Sequence, residues 1–205
     1  SDLETIVNTL LQGGFIMNEF QSNGYLQVPE LIDANTIQTI SLYFENKIKR
    51  GEWQSKPETD DSSKLGYYAD PLIEVLLEQC LPAVEEKVNL SLEPTYSYSR
   101  VYQEGEELLS HMDRPSCEIS VTINVACTGD PWPIWMQYQS NDPVKYILNP
   151  GDAVIYKGCD EHWRHELSYD WHRQVFLHYI EKDGQFYPEF KYDRREDLYF
   201  NTMVN

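Results

Sequence analysis

The side chains in this chain best suited to hold a divalent metal are two imidazoles and one carboxylate. His111 and Asp113 flank Met112 in a His-x-Asp, and His162 follows the strand-like run Pro150-Gly151-Asp152-Ala153-Val154-Ile155-Tyr156-Lys157. Two nitrogens and one oxygen leave coordination positions open opposite them, a set that suits non-haem Fe(II) in oxygen chemistry. The residue types therefore point to an oxygenase.

Such a set works only on rigid elements. Just after the His-x-Asp, Cys117, Ile119, Val121, Ile123 and Val125 alternate with Glu118, Ser120, Thr122 and Asn124. Period-2 alternation puts the first set on a packing face and the second on a face that lines either water or a pocket. Further β-rich runs span 96–103, 134–139, 144–148, 153–157 and 173–181, and a short strand is expected at 24–28. Ahead of them, Asp33 is an N-cap for a helix over about 34–50 with Ile37, Ile40, Phe44 and Ile48 on one face. Asp70-Pro71 starts a second helix, striped by Ile73, Leu76, Leu77, Cys80, Val84 and Val88, with Pro82 expected to kink or interrupt it. Helices followed by strands predict a mostly β, α+β domain with the helices packed on one sheet. One domain is expected over 1–205: an N-terminal strand and supporting helices (1–94), a β core (95–182) and a C-terminal extension (183–205) that wraps the outside.

Composition excludes other classes. The chain carries 34 acidic against 16 basic side chains, a formal charge of -18, so nucleic acid is not an expected partner. No stretch has the apolar length of a membrane span, and no secretory pattern opens the chain, so a cytoplasmic location is expected. Cys80, Cys117, Cys127 and Cys159 are scattered, without a C-x-x-C pair, and read as buried free thiols. Met17 reads as an internal start, leaving 1–16 as an upstream extension; the other reading is a helix from Leu3 to Leu11. The polar stretch Trp53–Lys64 lacks periodicity and is expected to be a loop that closes over a site. Nothing in the pattern sets an oligomeric state.

Taken together, Tyr102-Gln103-Glu104-Gly105, His111-x-Asp113, the polar-faced strand, Pro150-Gly151-Asp152 and the histidine after it carry a family likeness. The chain resembles the 2-oxoglutarate and Fe(II)-dependent dioxygenases, in their prolyl 4-hydroxylase-like branch, over about residues 96–182. The resemblance implies a double-stranded β-helix, or jelly roll, with Fe(II) held by His111, Asp113 and a distal histidine. It also implies 2-oxoglutarate as cosubstrate, O2 as oxidant, ascorbate as a possible accessory, and hydroxylation of a C-H bond with release of succinate and carbon dioxide. The substrate class stays open between a peptidyl proline, an amino acid and a small metabolite. Asp113 argues against the related halogenases, which lack that carboxylate.

In the family the distal histidine lies ten residues before a basic residue and sixteen before an aromatic one. From His162 those offsets reach His172 and His178, which favours His162 over His165 as ligand. The basic residue is where this chain departs, because histidine stands at 172 and Arg173 comes one residue late. By strand parity Arg173 points away from the pocket unless a bulge re-aims it. The anchor for the distal carboxylate of 2-oxoglutarate is therefore sought among Arg173, Arg164, His172, Arg100 and Lys157, with Arg173 narrowly preferred. Tyr102 matches the assisting tyrosine of the family, and Asn124 and Gln174 face the same interior. Trp132-Pro133-Ile134-Trp135 is read as rim and core, and Trp163 and Arg164 as entrance residues, Arg164 suiting a substrate carboxylate if 2-oxoglutarate does not use it. Two other classes stay open: a non-catalytic β-barrel binding module with a structural or vestigial metal site, and a zinc hydrolase, for which no general base is evident.

Overall fold

The computed structural model describes residues 18–53 and 65–196, and within them both expected helix starts occur where capping chemistry places them. A short helix, α1 (Glu19–Asn23), opens on an Asn18/Gln21 capping box. Asp33 accepts from Asn35 N and Thr36 N to begin α2 (Ala34–Lys49). Asp70 accepts from Leu72 N, with proline at the first helical position, to begin α3 (Pro71–Val88). Pro82 does not interrupt α3, which continues to Val88 with the proline on its exposed side.

Among the described residues, ten strands form two antiparallel sheets. The larger runs β1-β8-β5-β10-β3-β2 and the smaller β4-β9-β6-β7. Their ranges are β1 Tyr25–Val28, β2 Leu65–Tyr68, β3 Leu92–Gln103, β4 Leu108–His111, β5 Ile119–Cys127, β6 Ile134–Gln137, β7 Val144–Tyr146, β8 Ala153–Lys157, β9 Glu161–Arg164 and β10 Trp171–Glu181. From β3 onward the chain crosses between the sheets at each step except β6 to β7, so the two sheets face one another.

The helices cover the outer face of the larger sheet. Ile37, Ile40 and Phe44 of α2 and Ile73, Leu77 and Val84 of α3 share one apolar core with Val121, Ile123, Val175 and Leu177. Each such side chain contributes about 1.5 to 3 kcal/mol by burial. With that face committed, Ser120, Thr122 and Asn124 must point between the sheets, and all three are buried. The polar face of β5 is therefore interior rather than solvated.

Several expectations need correction or fall elsewhere. Strands β2 (Leu65–Tyr68), β4 (Leu108–His111) and β9 (Glu161–Arg164) are not among the expected runs. Only Cys80 and Cys117 are buried; Cys127 is half-buried and Cys159 exposed. The Leu3–Leu11 helix and the loop after Trp53 lie outside the described residues. Trp53 itself is buried against Phe44, ring centroids 4.2 Å apart. The described part of the chain after β10, up to residue 196, reaches α3 and β3: Arg195 donates to Glu74 (2.8 Å) and to the Thr95 carbonyl (2.7 Å). Among the described residues no helix is long and apolar enough to cross a membrane.

Candidate metal centre

Strand pairing brings the three proposed ligands together. His111 at the end of β4 is the register partner of His162 on β9. Asp113 is fixed by its own backbone, its N-H donating to the Gly158 carbonyl at 2.7 Å. A side chain at Gly158 would put a Cβ 2.0 Å from the Cys117 carbonyl oxygen, so only glycine permits this approach.

The side chains then converge. His111 Nε2 lies 3.3 Å from one carboxylate oxygen of Asp113, and His162 Nε2 lies 3.6 Å from the other. Behind each ring Nδ1 meets a carbonyl oxygen, that of Leu109 at 2.8 Å and that of Asp160 at 3.0 Å. A carbonyl only accepts, so each Nδ1 carries a proton, and each ring in its neutral, metal-binding form turns an Nε2 lone pair toward the carboxylate. Three lone-pair donors facing one another need a cation between them, and the set fits a divalent metal with open positions. The two rings differ in their electrostatics: without a cation, a proton on His111 Nε2 can bridge to Asp113, whereas His162 is favoured neutral. The hydrogen bond with Asp113 raises the His111 pKa, while burial lowers that of His162. For Asp113 burial acts upward, but His111 and His162 outweigh it and hold the carboxyl below its usual range.

The ligands open onto a cavity of about 300 Å³ between the sheets. Its walls come largely from β3, where Tyr96, Tyr98, Arg100 and Tyr102 recur at every second position. Tyr68, Arg114, Tyr156, Phe176 and His178 complete much of the lining. Most of these residues were missed from sequence, although the alternation of large and small side chains in Tyr96-Ser97-Tyr98-Ser99-Arg100-Val101-Tyr102 was a visible signal.

Arg173, the preferred cosubstrate anchor, is on the wrong side. Its guanidinium reaches Ser41 (3.3 Å) and Glu45 (3.5 Å) of α2 and packs 4.1 Å over the Trp171 ring. A bulge does occur beside it, but the register passes from Ala126 to Asn124, so the extra residue is Val125 on β5 and β10 keeps its parity. His172 does face inward, yet burial pulls its pKa down to about 3, so it is neutral. Its Nε2 contacts Gln174 Oε1 at 2.6 Å, which leaves Nδ1 a buried acceptor without a partner. It cannot pair with a carboxylate.

Arg164 is also placed differently from expectation. At 2 % exposure it is interior, not at an entrance, and its neighbour Trp163 stacks on Trp135 across the outer face of the smaller sheet. The guanidinium donates to the Trp132 carbonyl and to Gln174 Oε1 (3.3 Å), and its Nε has no partner. Among the described residues no carboxylate pairs with it. Burial lowers its pKa to about 10, which leaves it charged at neutral pH. Arg164 does not itself line the cavity, but its strand partner Leu108 does, as does Tyr102, whose phenol feels its charge.

The remaining candidates are quickly placed. Asn124 is buried with its amide on the Leu148 carbonyl (2.7 Å), Gln174 donates to Thr122, and neither lines the cavity. Arg100 lines it, paired with Glu106 at 3.1 Å. Lys157 lies over Tyr138. His165 is exposed beside Trp135 and outside the ligand group. Trp132 and Ile134 are buried, as rim and core residues would be.

No family model and no curated protein matches the chain. Solved structures do. A Pseudomonas putida prolyl-4-hydroxylase superposes with a TM-score of 0.65 and 13% identity, over 80% of this chain and 96% of that one. A Trichoplax adhaerens prolyl hydroxylase, solved with a hypoxia inducible factor peptide, gives 0.65 and 13% over 89% and 94%. HygX from Streptomyces hygroscopicus, with nickel and 2-oxoglutarate bound, gives 0.62 and 12% over 80% and 84%. At these identities the likeness is one of fold.

Proposed function

We propose that a chain with the fold of the 2-oxoglutarate and Fe(II) oxygenases, its two sheets forming a double-stranded β-helix, is itself such an oxygenase. It would hydroxylate a C-H bond of a small molecule or a peptide. The observation that carries this reading is the convergence of His111 Nε2, His162 Nε2 and the Asp113 carboxylate at the edge of an aromatic cavity. Those three residues would hold Fe(II). With 2-oxoglutarate and O2 the metal supplies oxidative decarboxylation, which yields succinate and carbon dioxide and places one oxygen atom on the substrate carbon. The chain's own contribution is positional: the carbonyls of Leu109 and Asp160 fix both imidazole tautomers, and the Gly158 carbonyl fixes Asp113.

For the distal carboxylate of 2-oxoglutarate the reading assigns Arg164. A buried guanidinium without a carboxylate is costly unless an anion joins it, and a guanidinium fork matches a carboxylate in shape. Arg164 does not line the cavity, whereas its strand partner Leu108 and the neighbouring Tyr102 do, so the reading requires the wall there to open for 2-oxoglutarate to reach the guanidinium. The absence of a cation at position 172 favours a non-catalytic binding module; a cation at Arg164, beside the same Gln174, counts against it. The test is Fe(II)-dependent conversion of 2-oxoglutarate to succinate, lost on replacement of His111, Asp113 or His162 by alanine. Turnover that survives in all three variants refutes the assignment.

A further inference from the structure

Among the described residues, the charged side chains lining the cavity are Arg100, Asp113 and Arg114, apart from the histidines. Each is already committed. Asp113 belongs to the metal set. Arg100 pairs with Glu106 at 3.1 Å, and although its Nε lacks a partner, that atom is sealed in the wall. Arg114 makes a two-point contact with Asp193, at 2.7 and 2.8 Å, and Asp193 is further held by Ser116 Oγ at 2.6 Å and Tyr68 Oη at 2.5 Å. A substrate bearing a carboxylate or an ammonium in this cavity would meet no uncommitted countercharge among the described residues. Instead it would meet rings: Tyr68 stacked on Tyr96 (5.0 Å), Tyr96 against His178 (4.6 Å), and Phe176.

His178 adds one polar feature. Ser120 Oγ donates its only proton to the Cys117 carbonyl at 3.0 Å, so at its 2.8 Å contact with His178 Nδ1 it can only accept. Nδ1 therefore carries the ring proton and Nε2 carries the lone pair. No described residue donates to Nε2, and it is not among the sealed unpaired atoms, so it faces the cavity that the ring lines. A nitrogen of this ring lies within 4.8 Å of an Asp113 oxygen, next to the metal set.

We infer that the part of the substrate entering this cavity is uncharged, packs an apolar or aromatic surface on the tyrosine wall, and offers one hydrogen-bond donor, a hydroxyl or an amide N-H, to His178 Nε2. This rests on the oxygenase reading and narrows it. It also replaces the expectation that Arg164 receives a substrate carboxylate, since Arg164 is interior and next to the proposed cosubstrate position.

The test uses the full chain loaded with Zn(II), a redox-inert stand-in, and 2-oxoglutarate. Binding of four matched probes, benzyl alcohol, toluene, benzoate and benzylamine, is measured by saturation-transfer NMR. Benzyl alcohol is expected to bind most tightly, with the two charged probes weaker by about tenfold. His178→Phe keeps a ring but loses the acceptor, and should erase the preference for benzyl alcohol over toluene; His178→Gln, which retains an acceptor, should keep part of it. Benzoate or benzylamine binding as tightly as benzyl alcohol overturns the inference. So does failure of the neutral probes to bind, or an undiminished hydroxyl preference in His178→Phe with Zn(II) binding intact. A separate titration of 2-oxoglutarate into the Zn(II) form keeps the two readings apart: no binding there refutes the oxygenase reading, whereas binding with a reversed probe order refutes only the substrate inference.

Discussion

Arg164 and His172 share one acceptor. Nη2 of the arginine and Nε2 of the histidine both reach Oε1 of Gln174, at 3.3 and 2.6 Å, from neighbouring positions in the barrel interior. Where the family resemblance leads one to expect a positive charge, on the last core strand, β10 offers a neutral ring, and the guanidinium beside it belongs to β9.

A variant series follows from this pairing. Arg164→Met should weaken 2-oxoglutarate binding by about 2 to 5 kcal/mol, the range for truncating one partner of a buried charge pair, without loss of metal. Arg173→Ala should leave the affinity unchanged, because its guanidinium faces α2. Calorimetric titration of the Zn(II) forms checks both. A loss in Arg100→Ala with none in Arg164→Met would move the anchor to β3.

The neutral His172 makes a prediction about acid stability. Burial is the main cause of its low pKa, with the Arg164 charge acting in the same direction and the Gln174 hydrogen bond opposing. The unfolded chain takes up this proton near the ordinary pKa of about 6.5, while the folded chain resists until about 3. Stability should therefore fall as pH drops from about 6.5 toward 3, by up to about 1.4 kcal/mol per pH unit from this group. Urea midpoints from pH 7 to 5 should slope less steeply in His172→Asn than in the native chain. Equal slopes would mean that His172 titrates normally in the fold.

The C-terminal clasp is testable by stability alone. Tyr192, Asp193 and Arg194 all have left-handed backbone angles, φ 48°, 54° and 59°, which non-glycine residues avoid unless contacts enforce them. The contacts are those of Asp193 with Arg114, Ser116 and Tyr68. Asp193→Ala should cost about 1 to 3 kcal/mol, toward the lower end because Arg114 is half-exposed, read from the shift in urea midpoint. No shift would show that the clasp contributes nothing to folding.

How far the sequence was legible varied with the length of the pattern. The helix caps at Asp33 and Asp70, the apolar stripe of α3 and the alternation in β5 follow local rules, and each appears at or within a residue or two of its expected place. The His-x-Asp and His162 were also readable, and they meet because β4 and β9 pair. Leu108–His111 and Glu161–Arg164 contain no β-branched residue and β9 is mostly polar, so neither reads as a strand and the pairing itself was not legible. Parity placed Arg173 outside the pocket, but the preferred reading invoked a bulge on β10; the bulge lies on β5, which no sequence pattern distinguishes. Arg164 was expected at an entrance because its burial depends on Trp132 and Gln174, residues from two other segments.

The most direct measurement is anaerobic addition of 2-oxoglutarate to the Fe(II)-loaded chain, followed by visible absorption. Chelation of the metal by the keto acid should give a charge-transfer band that saturates at one equivalent in the native chain and is absent in Asp113→Ala and His162→Ala. A native chain that binds Fe(II) but shows no band, or a band undiminished in His162→Ala, would contradict the assignment of this site to 2-oxoglutarate-dependent oxygenation.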